Sequence, residues 1–498
     1  MTFADAMRNE TTLKQTENGG LAYNTLGDAI LDLYAVGGAL RKRDDAAIKT
    51  KFISAYETSP VLAFLLAVYI RDIRAGGLGE RRTGRIGLRY FASKQPLFFA
   101  QNIKQIVLEI GRGDDVYAYL GVNAAVDAAI WNFIKSTLAE DLQNMRAGKP
   151  ITLLAKWLKS ANASSEETKK LGKLTAKKCG LTLKQYRTTL SALRKYSNVV
   201  EVKMSAREWD SIDFEGVPSY AMKNYRNAFK THAPDAFDSF IGAVEKGEKT
   251  IKAATLYPYD LVEQYLDRGR IDEGRINVDA TIEAQWKALP NYVEGENNVL
   301  VMADVSGSMT GRPMATAVGL AIYFAERNKG AFADMFLTFS EHPEYVCLDR
   351  NNSLLLRTLR TFKSNWGMNT DLNEAFKKVL NTAVSNRVPA SEMPKAIVVI
   401  SDMEIDGDWT SNHSEDIYGK WYHRFKEAGY KLPKIIWWNV DSRQDTFLTK
   451  DKNTLAVSGQ SAATFKTILK SLDKSMVEMV VDILKSYGDS FNWRYWEV

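Results

Sequence analysis

Apolar positions along the chain follow two different periods, and the change falls near residue 290. Up to that point apolar residues recur at three- and four-residue steps, in "LGDAILDLYAVGGAL", "KFISAYETSPVLAFLLAVYIRDI", "TLLAKWLKSAN", "LTLKQYRTTLSALRKY" and "HAPDAFDSFIGAVEKG". That spacing gathers them on one face of a helix. Turn residues separate the stretches at Gly37-Gly38, Gly76-Gly77, Gly111 to Gly113 and Pro218. No fixed-length repeat is visible, but many helices in series predict an α-solenoid or irregular bundle. "RINVDATIEAQWKALPNYVEGENN" reads as the passage into a second domain. After Asn298 the pattern alternates. "VLVMADV", "ADMFLTFS", "EYVCLD", "KAIVVIS", "KIIWWNVD" and "TLAVSG" are short apolar runs. Between and after them lie amphipathic stretches, "RPMATAVGLAIYFAERNKG", "SLLLRTLRTFKS", "DLNEAFKKVLNTAVSN", "HRFKEAGY", "SAATFKTILK" and "SMVEMVVDILKSY". Strands alternating with helices predict βαβ units and a mostly parallel, doubly wound sheet. The expected fold is therefore multidomain: an all-α region over 1–290 and an α/β region over 291–498.

Composition changes this picture little. With 498 residues, 45% hydrophobic and 25% charged, the chain has the make-up of an ordinary globular protein of more than one domain. Its two cysteines, Cys179 and Cys347, give neither a disulfide framework nor a Cys-rich metal site, which fits a reducing, cytoplasmic setting. "MTFADAMRNE" lacks the basic-then-apolar pattern of a secretory signal. The longest apolar run, Val61 to Ile70, is too short to span a bilayer, so no membrane partner is expected.

Charge does change it. The net charge is +6, but residues 301–498 carry 24 Lys/Arg against 24 Asp/Glu, so the whole excess lies in the helical part. Residues 151–200 carry 11 basic against 2 acidic side chains, and residues 51–100 carry 8 against 3. Local excess of this kind is the footprint of a polyanion partner. It is also what a solvated, lysine-rich helix surface looks like.

The chemistry-bearing stretch is "MADVSGSMTG", Met302 to Gly311. Asp304, Ser306 and Ser308 stand at alternate positions where an apolar strand ends, and in a doubly wound sheet ligands bind beyond those carboxyl ends. One carboxylate and two hydroxyls turned to a common point form the oxygen-only donor set that Mg²⁺ or Mn²⁺ requires. Two further oxygens are expected from other strand-end loops, Thr370 in "NWGMNTDL" and Asp402 in "VVISDMEID". The plainer reading is a loop that caps the next helix with Ser308 or Thr310.

Other chemistries fit poorly. A phosphatase of the haloacid-dehalogenase kind needs a second Asp two residues after the first, and Ser306 stands there. Neither a G-x-S-x-G elbow around Ser308 nor a G-x-x-x-x-G-K-[ST] phosphate loop is present. His232, His342, His413 and His423 lack metal-ligand spacing. "RGDD", Arg112 to Asp115, evokes an adhesion tripeptide and is read as coincidence. No nucleophile–base pair is visible, so an enzyme is not expected.

Asp304, Ser306, Ser308, Thr370 and Asp402 together resemble the metal-ion-dependent adhesion site of von Willebrand factor A domains, over about residues 296–490. The resemblance implies direct ligation by Ser306 and Ser308, direct or water-mediated ligation by Thr370, and mainly water-mediated binding by Asp304 and Asp402. One position would stay open for a carboxylate or phosphate from a partner.

In the helical half, "RDIRAGGLGERR" and "LAKWLKS" precede that domain. This order resembles the TROVE architecture of Ro ribonucleoproteins, and more closely a related family of phages, giant viruses and plants. In Ro proteins HEAT-like helical repeats form a ring that an A domain closes, and the ring binds small non-coding RNA and single-stranded RNA ends. Arg71, Arg74, Arg81, Arg82 and Arg85 flank a glycine turn, and beside the backbone N–H groups of the following helix start they suit a phosphate. Lys156 and Lys159 flank Trp157, joining charge to a stacking surface. The plainer reading of Trp157 is a core position, and that of the arginines is surface ion pairing. Two functions follow: a non-catalytic RNA-binding protein with a divalent-metal site for an acidic partner group, or a metal-dependent protein-interaction or viral assembly module without RNA.

Overall fold

A computed structural model describes residues 12–74, 76–266, 277–339, 342–362, 371–407 and 416–497. The chain has a helical N-terminal region and a C-terminal α/β region. By contacts it divides into two units: residues up to 63 together with 253–484, and residues 64–252 together with those from 485 onward. The linear division at residue 290 does not follow these units, because each end of the chain folds with the other part.

The first unit is built on a six-stranded sheet. Two short strands, β1 (Leu13–Gln15) and β2 (Leu21–Tyr23), form a separate antiparallel hairpin. The sheet comprises β3 (Val299–Asp304), β4 (Met335–Phe339), β5 (Glu344–Cys347), β6 (Ala396–Ser401), β7 (Lys434–Asn439) and β8 (Thr454–Ser458), in the order β5-β4-β3-β6-β7-β8. All neighbours run parallel except β5, which is antiparallel to β4 at the edge. Every residue of β3 and β6 is buried, as the unbroken apolar runs predict for central strands covered on both faces.

One face packs Leu300, Met302, Ile397, Val399, Ile435 and Trp437 against helices Leu372–Ser385 and Ile417–Glu427. On the other, Trp438 meets Phe465 at 4.8 Å between ring centroids, and Phe465 meets Phe324 of helix Arg312–Arg327 at the same distance. The chain leaves β3 towards β4 on one side and reaches β6 on the other, so the β3/β6 boundary is the topological switch point where ligands of such sheets bind.

The second unit is helical. Its helices include Arg81–Lys94, Ala124–Arg146, Glu166–Lys178, Leu183–Tyr196, Ser219–His232 and Pro234–Glu245. Phe64 lies edge-on to Phe91, Phe98 and Phe491 at 5.0–5.4 Å, and Trp493 stacks on Phe98 at 5.1 Å. The residues after 485 are tied in by side-chain amides. Asn102 exchanges two hydrogen bonds with the backbone of Asn492, and Gln95 does the same with Glu497.

Two helical expectations need correction. "KFISAYETSPVLAFLLAVYIRDI" is two helices, Asp45–Thr58 and Pro60–Arg71. Ser59, extended at φ −156°, precedes a proline that disfavours the helical conformation before it. "TLLAKWLKSAN" is helical only over Leu154–Trp157. There the Arg194 guanidinium takes the carbonyls of Ala155 and Leu158, and a continuing helix would need the first of these for its own ladder. The β1–β2 hairpin had no counterpart in the periodicity.

Candidate functional site

β3 ends on Asp304 with its side chain fully buried. Its register places it beside the end of β6, where the Ser401 hydroxyl donates to Asp304 Oδ2 at 2.6 Å. Oδ1 accepts from the Ser306 amide at 2.9 Å, which turns the chain out of the strand. The single helical turn Gly307–Met309 then brings the Ser306 and Ser308 hydroxyl oxygens to 3.2 Å. Gly311, at φ +91°, makes the left-handed step into helix Arg312–Arg327, where a side chain would be strained. Across the switch point Asp402 follows β6, also fully buried. Its Oδ1 accepts from the Glu404 amide at 3.2 Å, and its Oδ2 has no hydrogen-bond partner among the described residues. Between them Met403 holds a left-handed conformation, φ +66°, although it carries a side chain; such strain is typical of functional turns.

Burial and the charge of Asp402 raise the Asp304 pKa above the usual carboxylate range, against hydrogen bonds from Ser306 and Ser401. Burial likewise raises Asp402, opposed by the Glu404 amide, the Ser308 hydroxyl and the Arg443 guanidinium. Glu404 is raised by burial and by its acidic neighbours, Asp402 among them. Three buried carboxylates thus lie close together. Arg443, from the loop after β7, faces them: its Nη2 donates to the Ser308 carbonyl and lies 3.6 Å from Asp402 Oδ2.

Among the described residues no group of three or more His, Cys, Asp or Glu side chains has metal-binding geometry. The donors here are of another kind, two carboxylates and two hydroxyls. Adjacent oxygens on an octahedral ion with bonds of roughly 2.1 Å lie about 3 Å apart, and the Ser306–Ser308 pair has that separation. Asp402 Oδ2, which accepts no hydrogen bond among the described residues and lies 3.6 Å from Arg443, is a further hard oxygen of the kind a divalent cation takes. Thr370 lies outside the described residues.

The turn of the β1–β2 hairpin lies against this loop. Thr16 donates to the Ile405 carbonyl, the Glu17 amide donates to Glu404 Oε2 at 2.6 Å, and the Gly407 amide donates to the Asn18 carbonyl. Gly20 comes so near that an added Cβ would stand 2.7 Å from the Ile405 carbonyl oxygen. The Glu17 carboxylate lies 3.4 Å from Arg443 Nη1. Sequence reasoning missed Ser401, Glu404, Arg443 and Glu17. The only local signal was Glu404, two residues after Asp402 in "SDMEID".

In the helical unit the predicted basic residues fall into two sorts. Arg71 is buried and bidentate on Asp115, through Nε at 2.8 Å and Nη2 at 3.1 Å. Arg85, mostly buried, bonds both Asp114 and Asp115. Both arginines are internal. Arg81 is largely exposed and reaches Asp114 at 3.1 Å, while Arg74 and Arg82 are exposed. Arg112 also holds Asp114, at 2.6 Å. Burial alone would raise Asp114, yet Arg112 and Arg85 hold it well below the usual carboxylate range. Arg71, Arg81, Arg85 and Arg112 thus gather on two carboxylates, Asp114 and Asp115.

Arg112 joins the two predicted segments, since its guanidinium lies 4.0 Å from the Trp157 ring centroid. Gly113 presses on the same indole, where a Cβ would come within 3.0 Å of the Trp157 Cβ. One face of Trp157 is therefore occupied. Lys156 is 3.9 Å from Glu201, and Lys159 lies 6.0 Å over the Tyr117 ring. "RGDD" thus holds the carboxylates that anchor the arginine cluster.

Two family models match the chain. Residues 298–488 match one described as a domain of unknown function (DUF7788), and residues 146–297 one described as a domain of unknown function (DUF2828). The first begins one residue before β3. The chain is also similar to "Uncharacterized protein L728" of Acanthamoeba polyphaga mimivirus, 27% identical over 518 residues that cover 95% of this chain and 88% of the relative.

Proposed function

We propose that this chain is a non-catalytic binding protein. In this reading its α/β unit is a von Willebrand factor A-like module that holds Mg²⁺ or Mn²⁺ and docks an acidic group, foremost a carboxylate of a partner protein. The observation that carries it is the convergence of Asp304, Ser306, Ser308 and Asp402 at the β3/β6 switch point, with Asp402 Oδ2 accepting no hydrogen bond among the described residues and facing Arg443 at 3.6 Å. When bound, the ion supplies a positive centre with an open coordination position. Ser306 and Ser308 would hold it directly, Asp304 and Asp402 would balance its charge, and Thr370 is the fifth expected donor. Ser401 fixes the rotamer of Asp304. Among the described residues no helix is long and apolar enough to cross a membrane, and we place the protein in the cytoplasm.

A second reading adds small non-coding or single-stranded RNA as a partner of a HEAT-like, TROVE-like helical region. It is favoured by a hollow of about 380 Å³ lined by Arg81, Arg82, Arg85, Ile86, Arg89 and Ala118. In that reading Arg74, Arg81, Arg82, Lys156 and Lys159 meet phosphates, and Arg71, Arg85 and Trp157 support the surface from within.

Mn²⁺ titration of the full chain, followed by paramagnetic resonance, tests the first reading. One ion per chain is expected, lost in Asp304→Ala and Ser306→Ala while the melting temperature holds. Equal binding in both variants would sink it, and so would unfolding of the α/β unit by Ser306→Ala.

A further inference from the structure

The connection between β7 and β8 carries a second site. Parallel neighbours are usually joined by a crossover helix that covers the sheet. Here residues 440–453 contain no helix. Phe447 instead exchanges backbone hydrogen bonds with Tyr23 of β2, at 2.8 and 2.9 Å. The sheet face over β7 and β8 is therefore closed by substitutes: Phe447 and Leu448 from that loop, Leu31, Ala35 and Val36 from helix Ala29–Val36, and Met476 and Val477 from the start of the last long helix. They do not fill the space. A cavity of about 400 Å³ remains, floored by Trp437 and Asn439 of β7 and by Thr454 and Ala456 of β8. That volume lies within the range of small-molecule pockets, roughly 300–1,000 Å³.

Two features give the cavity a chemistry. Trp437 is only 6% exposed, yet its indole Nε1 donor has no hydrogen-bond partner among the described residues. A buried donor left unpaired has given up its hydration without return, and an acceptor on an occupant would satisfy it. At the rim stand Lys450 and Lys452. Lys450 is engaged with Thr12 and lies 4.7 Å over the Tyr23 ring, whereas the exposed Lys452 ammonium has no partner among the described residues. Asp451 is the acidic side chain on the same rim.

We infer that this cavity binds a small apolar carboxylic acid, a medium-chain acyl or arylalkyl carboxylate. Its hydrocarbon body lies against Leu31, Val36, Met403 and Leu448, and its carboxylate meets the Trp437 indole N–H and the rim lysines. Nothing in this depends on Asp304 or a metal ion, so chelation leaves it unchanged.

The full chain titrated with 11-(dansylamino)undecanoic acid tests the inference. Saturable enhancement of dansyl emission is expected, reversed by decanoate and unaffected by EDTA. Methyl decanoate, which lacks the charge, should compete at least ten-fold less well. Ala456→Phe fills the cavity from its floor and should weaken probe binding ten-fold or more. Should that variant fail to melt cooperatively, Val477→Trp decides, because Val477 is 54% exposed at the mouth and bears little on folding. Trp437→Phe removes the donor and should cost several-fold. Absence of saturable binding overturns the inference, as does equal displacement by acid and ester, or undiminished binding in the folded filling variants.

Discussion

Arg443 stands over Asp402 as an internal cation, its Nη2 3.6 Å from the carboxylate oxygen that accepts no hydrogen bond among the described residues. A bound Mg²⁺ would feel that guanidinium as a like charge. Arg443→Gln should therefore tighten divalent-ion binding by about ten-fold, on the order of 1.4 kcal/mol. It should also lower the melting temperature of the metal-free protein, whose buried carboxylates lose their neutralising partner. Calorimetric titration of both proteins measures it. Unchanged or weaker binding would mean that Arg443 organises the site and does not compete for it.

Ser401 is not itself a proposed ligand, but its hydroxyl donates to Asp304 and accepts from the Met403 amide at 3.0 Å. Partners that orient a metal ligand are typically worth 10–100-fold in affinity, by rough count. Ser401→Ala should fall in that range, and Ser401→Thr should restore most of the loss. An affinity untouched by Ser401→Ala refutes the positioning role.

Asp115 is fully buried and accepts from Arg71, Arg85 and the Arg112 amide. Removing one partner of a buried ion pair strands the other, at about 3–5 kcal/mol. Asp115→Asn should cost that much in urea denaturation. Arg81→Ala removes an exposed ion pair, worth roughly 0–1 kcal/mol, and should barely register. Comparable losses in the two variants would contradict the internal placement of Arg71.

RNA affinity, if the helical surface has it, should fall steeply with salt, with a slope near −0.7 per phosphate contact. The Arg81→Ala/Arg82→Ala double variant should flatten that slope by roughly one to two units. Trp157→Ala should leave the slope alone and lower the melting temperature, because Arg112 covers its ring. Filter binding from about 50 to 300 mM salt reads both. Lack of retention at the lowest salt removes RNA from the account.

Burial pushes the Cys179 thiol up to about 11, whereas Cys347 is exposed. At pH 8 a disulfide reagent should label one thiol quickly, and Cys347→Ser should abolish that phase. The raised value means that the folded chain keeps a proton which the unfolded chain gives up near roughly 8.5. Its contribution to stability is full below that pH and is lost as pH rises towards 11. Urea denaturation between pH 8 and pH 11, with Cys179→Ala as reference, should show this loss only in the parent. Two fast thiols would place Cys179 at the surface.

What the sequence made legible was local. Asp304, Ser306 and Ser308 are two residues apart, so one strand end brings them together, and the apolar purity of β6 placed Asp402. Ser401 could not be found that way. Its role depends on the register of β3 against β6, which no window of either strand contains. Arg443 and Glu17 come from distant loops that meet only once the sheet and the hairpin are formed. The basic excess was equally visible as charge. Which arginines are internal depended on Asp114 and Asp115, in a tetrapeptide whose resemblance to an adhesion motif hid its structural use. The hairpin strands are three residues long, too short for an alternation to register.

The exchange of chain ends sets the order in which the molecule can be made. Residues up to 63 fold with the sheet that begins at Val299, and Trp493 and Trp496 complete the aromatic cluster around Phe64 and Phe98. A growing chain therefore has to hold its first helices unpartnered while residues 64–252 are synthesised. At about 5–20 residues per second that wait is on the order of ten seconds or more. The helical unit waits in turn for the residues after 484. Neither unit can mature vectorially, and a cut in any one connection releases neither as a single continuous piece.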